Sequence, residues 1–185
     1  MASTSHTNDS LNTSKQTDRL KETRYVFEND LLPQEIPEVD EIGATTAPLV
    51  SASFYIGARC QPYNDDYMLC NQEAKGTGQI DCLKEGRRVT RCAASVLKDL
   101  NKNCSEEFRL HWRCLGQNNL EFKGCRKAEL LLNNCVFQKL NLTKTIPGIE
   151  EKDQIHLKET PVIKPLSLHQ DSDKAYAKAK AEGKI

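Results

Sequence analysis

The sequence predicts an all-α fold: two tandem, disulfide-stapled antiparallel helical hairpins with long extended N- and C-terminal arms. Three observations predict it. All eight cysteines fall between Cys60 and Cys135, in four pairs that each have nine residues between their members. Turn residues separate the pairs in two of the three gaps. Only 38% of the residues are hydrophobic and 6% aromatic, so a large self-sufficient core is not expected.

Residues 1–44 are expected to form a disordered or extended N-terminal arm. The first 24 residues are mostly Ser, Thr, Asn and charged side chains, with little to bury. Residues 25–43 mix short apolar clusters with acids and with Pro33 and Pro37. This composition favours an extended segment.

Residues 45–99 are assigned to the first hairpin and its leading helix. Thr45 or Thr46 is a candidate N-cap, and Pro48 suits the first turn of the helix. The residues before Cys60 are apolar on nearly all sides of that helix, so we expect a partner surface to cover them. Gly76-Thr77-Gly78 is a turn signal that ends the helix and starts the return.

Residues 100–141 are assigned to the second hairpin, and residues 142–185 to an extended C-terminal tail. Between Cys114 and Cys125 the chain holds two glycines and two adjacent asparagines, which is another turn signal. The tail is polar and interrupted by Pro147, Pro161 and Pro165. We expect it to make few internal contacts, apart from a short exposed helix in its Ala- and Lys-rich end.

Helix geometry selects one disulfide pairing. Ten residues along an α-helix rise about 15 Å and turn about 1000°, so both cysteines of a C-x9-C pair lie on one side of the helix. When two such helices fold back on each other, the outer cysteines meet and the inner cysteines meet. The predicted site residues are therefore these disulfides: Cys60 with Cys92, Cys70 with Cys82, Cys104 with Cys135, and Cys114 with Cys125.

Two other interpretations of the cysteines are weaker. Reduced core cysteines with an accidental spacing would not repeat that spacing four times. Structural zinc sites use ligands two to four residues apart, and the four histidines are scattered, so no metal site is predicted. Disulfides at this density need an oxidising compartment.

Targeting and binding signals in the sequence limit the possible compartments and partners of the protein. The first 14 residues contain no Lys or Arg and no apolar run, so no secretory signal peptide is predicted. Residues 1–40 carry four basic and eight acidic side chains, unlike a matrix presequence. The longest uncharged stretch, residues 43–58, is too short for a membrane span. Arg87, Arg88 and Arg91 fit a solvated helix face better than a nucleic-acid site.

Between Pro37 and Leu142 the sequence resembles the twin C-x9-C, or coiled-coil-helix-coiled-coil-helix, proteins of the mitochondrial intermembrane space. Its tandem of two such modules, together with short sequence motifs around the cysteines, is similar to a family of accessory subunits of respiratory complex I. The motifs are FYIGARC, YMLC, CLKEGRRVTRC, HWRC, FKGCRKAE and VFQKL.

This resemblance implies a non-catalytic accessory subunit with no cofactor or redox centre. It implies a peripheral location on the intermembrane-space side of the mitochondrial inner membrane, import through the disulfide relay, and contacts with other complex I subunits, chiefly those of the membrane arm. It implies a role in stabilising and assembling that arm.

Two alternative functions stay open at this point. Some copper carriers and assembly factors of the intermembrane space share the C-x9-C hairpin, but they carry spare thiols such as an adjacent Cys-Cys pair, which this chain lacks. A thiol oxidoreductase needs a closely spaced pair of low pKa such as C-x-x-C, which is also missing.

Overall fold

The computed structural model describes residues 34, 36, 38–40, 42–157 and 170–185. The predicted disorder of residues 1–24 therefore lies outside the described residues. By backbone contacts the chain divides into Met1–Ile36 and Pro37–Ile185, and the account below concerns the second unit. Its helices are α1 (Thr46–Glu73), α2 (Gly78–Asp81), α3 (Leu83–Asn103), α4 (Ser105–Gln117), α5 (Arg126–Leu140) and α6 (Gln170–Ala181), with short 3-10 turns at Phe122–Gly124, Glu151–Asp153 and Ile155–Leu157.

The all-α class and the disulfide-stapled helical hairpins are confirmed, since the described residues contain helices and no strand. Hairpin 1 consists of α1 and α3, and hairpin 2 consists of α4 and α5. In the described part of the chain, no helix combines the length and the apolar character that a bilayer crossing requires.

The turn of hairpin 1 follows the predicted glycine signal. Gly76 has a φ of +107°, which side chains rarely tolerate. At Gly78 an added Cβ would lie 2.2 Å from Oδ1 of Asn71, so any other residue here would displace the Asn71 side chain. The chain can therefore reverse between α1 and α3 within a few residues.

The leading half of α1 is covered by the chain itself, which corrects the expectation that a partner surface covers it. Ser51, Ala52 and Tyr55 are buried. Ala52 and Tyr55 belong to one core with apolar side chains from both hairpins, namely Val96, Leu97, Leu100, Phe108, Leu132 and Val136. The two hairpins thus share a core, and α1, which belongs to hairpin 1, also packs against hairpin 2.

The C-terminal segment also differs from expectation. We expected few internal contacts from residues 142–185, yet Gln154 and His156 are buried and the Lys144 side chain is only 4% exposed. The predicted short helix is present as α6, and it buries Tyr176 rather than lying fully exposed. Lys144 is paired with Glu129 of hairpin 2, whereas the Gln154 side chain is hydrogen-bonded within the segment, to the backbone of Ile146 and Ile149.

Candidate functional site: four disulfides and a buried ion cluster

The eight predicted site residues are joined in four disulfides. The Cα atoms of each bonded pair are 5.8 to 6.0 Å apart, within the normal range for a disulfide. No cysteine is free. The bonds join Cys60 to Cys92, Cys70 to Cys82, Cys104 to Cys135, and Cys114 to Cys125.

The two disulfides nearest the hairpin turns lie in different surroundings. Cys114 and Cys125 are buried with Leu115, and the side-chain amide of Asn118 lies 3.5 and 3.3 Å from their sulfurs. Cys70, by contrast, is the one cysteine that is not buried. One spacing therefore produces a covered disulfide in hairpin 2 and a partly open one in hairpin 1.

Hairpin 2 also holds a buried ion cluster, formed by Arg126, Glu129 and Lys144. Glu129 is 1% exposed, and its two oxygens accept hydrogen bonds from Arg126, at 2.6 Å, and from Lys144. Burying a carboxylate is costly unless it is paired and hydrogen-bonded, and both conditions are met here. The cluster thereby attaches the segment after α5 to hairpin 2.

Aromatic rings of α1 and hairpin 2 complete the surroundings of Lys144. Its Nζ lies 3.9 Å from the ring centroid of Phe54 and 4.4 Å from that of Phe122. The two rings meet edge to face with centroids 5.9 Å apart. Burial lowers the pKa of Lys144, and the neighbouring Glu129 opposes that shift. Cation–π contacts add to the stabilisation of the buried ammonium group.

His111 and Ser51 form a second buried polar contact, with Oγ and Nδ1 2.7 Å apart. Burial, with the charges of Lys144 and Arg126, lowers the pKa of His111 to about 3. A serine–histidine pair can create a nucleophile only if the imidazole is a competent base and substrate can reach it. Both side chains are buried and this imidazole is a very weak base, so the contact joins α1 to α4 and does not form a nucleophile.

Tyr55 and His156 are the other perturbed groups near the cluster. The Tyr55 hydroxyl donates a hydrogen bond to Oδ1 of Asn133, and burial and then the Glu129 charge raise its pKa. Burial and then the Lys144 charge lower the pKa of His156. Each of these groups is therefore held in its neutral form at neutral pH.

Sequence reasoning identified the cysteines but missed the ion cluster. Glu129 did carry a signal, because it lies four residues after Cys125 and three before Leu132, on the apolar face of α5. Lys144 and His156 carried none, since each stands in polar sequence that is typical of solvent. Among the residues that the structure describes, no group of three or more His, Cys, Asp or Glu side chains is placed to hold a metal ion.

Comparison with known proteins gives similar chains in fungi and plants. No family model matches the chain. It is 57% identical over 124 residues to the NADH-ubiquinone oxidoreductase 20.8 kDa subunit of Neurospora crassa, covering 67% of this chain and 68% of that protein. It is 35% identical over 85 residues to NADH dehydrogenase (ubiquinone) 1 alpha subcomplex subunit 8-A of Arabidopsis thaliana, covering 46% and 77%. The 8-B protein of the same plant matches over the same length at 35%, covering 78% of that protein.

Proposed function

The chain belongs to the family of the NADH-ubiquinone oxidoreductase 20.8 kDa subunit and the alpha subcomplex subunit 8 proteins, and we propose that it is a non-catalytic accessory subunit of mitochondrial complex I. The match to the fungal 20.8 kDa subunit, at 57% identity, is the observation that carries the proposal. The buried serine–histidine pair and the absence of a free cysteine support a structural role over a catalytic one.

The subunit stabilises and helps to assemble the membrane arm from its intermembrane-space face, where it is attached peripherally. Four disulfides in a chain of this size support an oxidising compartment, and the matrix is a reducing one. Import through the disulfide relay would supply those bonds. The hairpins, at 45–99 and 100–141, form the rigid block, and residues 1–44 with the outward surface of 142–185 supply attachments.

Deleting the gene tests the assembly role. We expect a native gel to show depletion of assembled complex I, with restoration by the wild-type chain. In a strain with a reduced amount of the chain, NADH:ubiquinone activity per assembled complex should stay constant, because an accessory subunit limits assembly and not turnover. A normal amount of complex in the deletion strain would contradict the proposal.

Alkylation without prior reduction, followed by mass spectrometry, tests the state of the cysteines. In protein taken from mitochondria we expect no cysteine to be alkylated, because all eight are held in disulfides. Two or more modified cysteines would favour a thiol-dependent carrier or assembly factor instead.

Protease treatment of mitochondria with a ruptured outer membrane tests the location. A tag after Ile185 should be digested there and protected in intact mitochondria, and carbonate should release the chain from the membrane. A tag that stays protected until the inner membrane is dissolved would place the chain in the matrix.

A further inference from the structure

A groove of about 600 Å³ runs between α5 and the segment that follows it. Four large apolar side chains on its walls are partly open to solvent: Phe137 at 54%, Ile149 at 43%, Leu157 at 57% and Ile185 at 43%. The other exposed large apolar residues do not line the groove, although Ile155 lies between two residues that do. This concentration of apolar surface within one concave site is typical of a binding site.

Two buried polar atoms, on side chains that line the groove, have no hydrogen-bond partner. They are Nδ2 of Asn133 and Nδ1 of His156. Such atoms are rare in folded proteins, because a buried polar group without a hydrogen-bond partner is destabilising. Their position beside an open apolar groove indicates a ligand that supplies the missing partners.

The two atoms need opposite partners. Asn133 already accepts a hydrogen bond from Tyr55 at Oδ1, so its Nδ2 is a donor that lacks an acceptor. The His156 ring is hydrogen-bonded to the backbone of Lys144 and is neutral, because burial lowers its pKa. The remaining nitrogen, Nδ1, is then an acceptor that lacks a donor. The side chains that line the groove therefore hold one unpaired donor and one unpaired acceptor.

We propose that this groove binds an extended, uncharged apolar segment of a neighbouring subunit, whose backbone pairs with Asn133 and His156. A polypeptide backbone offers a carbonyl acceptor and an N–H donor in every residue, whereas a lipid acyl chain offers neither. Lys144 at the groove is already paired with Glu129, and Glu151 on the groove wall is exposed, so an ion pair with it would contribute little; a charged segment therefore gains little there. Because both atoms are buried, the segment reaches them only when side chains of the groove wall move.

This inference rests on the proposed function, because it takes the occupant from the assembled complex. A photoreactive benzoyl-phenylalanine at position 137, introduced into the full chain in mitochondria, identifies the occupant. We expect mass spectrometry to find the crosslink in an uncharged apolar segment of another subunit. Crosslinks confined to this chain, to lipid, or to a charged segment would overturn the inference.

Charged substitutions on the rim measure the strength of the contact. Phe137→Glu and Leu157→Glu should each lower the fraction of the chain that co-migrates with complex I about tenfold or more, as at an interface hot spot. Ile80→Glu is the matched control, since Ile80 is 75% exposed at the turn of hairpin 1. All three purified variants should keep four disulfides and the wild-type helix content.

The outcomes separate the two proposals. If complex I is depleted by the deletion but incorporates both rim variants normally, the groove inference fails and the proposed function stands. If the deletion leaves complex I intact, the proposed function itself fails. Equal losses in the rim variants and in Ile80→Glu would also overturn the groove inference, because the effect would not depend on the groove.

Discussion

The two hairpins share one cysteine spacing but differ in how the rest of the chain covers them. In hairpin 1, beyond Cys60, the residues from Gln61 to Asp66 are all exposed, and Met68 and Leu69 are more than half exposed. In hairpin 2 the turn-side disulfide is buried beneath Val50, Leu120 and Phe122. Spacing therefore determines where the covalent bonds form, and the burial of other side chains determines where the stability is concentrated.

The largest expected effect comes from removing the turn-side disulfide of each hairpin. The bonded cysteines are 12 residues apart for Cys70–Cys82 and 11 for Cys114–Cys125, so the loop-closure contributions are nearly equal. Each pair of Ala substitutions should lower the free energy of unfolding by about 2–4 kcal/mol. Cys114→Ala with Cys125→Ala should cost about 1 kcal/mol more, because both of its cysteines are buried, whereas only Cys82 is buried in the other pair. If urea unfolding gives equal losses of stability for the two double variants, the turn-side disulfide of hairpin 2 is no more important than that of hairpin 1.

Breaking an ion pair in each hairpin gives the next effect. Glu129→Gln leaves Lys144 and Arg126 buried without their carboxylate, and should cost about 3–5 kcal/mol. Asp99→Asn removes the partly exposed pair with Arg59 in hairpin 1, and should cost about 1 kcal/mol or less. Urea unfolding of the two purified variants at one pH measures both values. A larger loss for Asp99→Asn would contradict the assignment of stability to hairpin 2.

The histidines that titrate on acidification lie in hairpin 2 and the segment after it, since residues 46–103 contain no histidine. The pKa of His111 is about 3 in the folded chain, below the ordinary value of 6.5, so below pH 6.5 only the unfolded state takes up this proton. Stability is therefore complete above pH 6.5 and declines as the pH falls towards 3. From pH 7.5 to pH 5 the His111 contribution is a loss of about 2 kcal/mol.

The variant His111→Gln supplies the control for that experiment. It removes the titrating group, and the loss between pH 7.5 and pH 5 should shrink by about 2 kcal/mol. His156, whose pKa is also lowered, accounts for a remaining loss in the same direction. An unchanged pH dependence in His111→Gln would show that the acid sensitivity arises elsewhere.

The smallest effect is expected at the open end of hairpin 1. Leu69→Ala removes a side chain that is already 55% exposed, and should change the free energy of unfolding by about 0.5 kcal/mol or less. Leu132→Ala, in the shared core, should cost about 2–5 kcal/mol. A loss above about 1 kcal/mol for Leu69→Ala would show that this end is more tightly packed than its exposure indicates.

The predictable part of the fold depended on local periodicity. Nine residues between cysteines place both sulfurs on one side of a helix, and Gly76 and Gly78 mark a reversal, so both features follow from short stretches of sequence. The ion cluster depends on side chains that meet only after folding. Nothing near Lys144 in the sequence indicates that its ammonium group is buried against Glu129, 15 residues away.

The core around α1 was misjudged for a related reason. An all-round apolar stretch indicates cover on several sides, but not whether this chain or another supplies it. The sequence offered few aromatic residues as candidates, and the structure uses Phe108 of hairpin 2 together with Leu and Val side chains of both hairpins. Tertiary packing decides which surfaces cover a helix, and the spacing of apolar residues in the sequence does not show that packing.

The position of α1 has a consequence for how the chain unfolds. This helix has 28 residues and a length of about 42 Å. Its first half packs in the core that includes hairpin 2, and its second half is joined by disulfides to Cys92 of α3 and to Cys82, the residue before α3. Loss of α1 would therefore open both hairpins at once. Although the sequence shows two repeated modules, the shared helix makes them a single cooperative unit that melts in one transition.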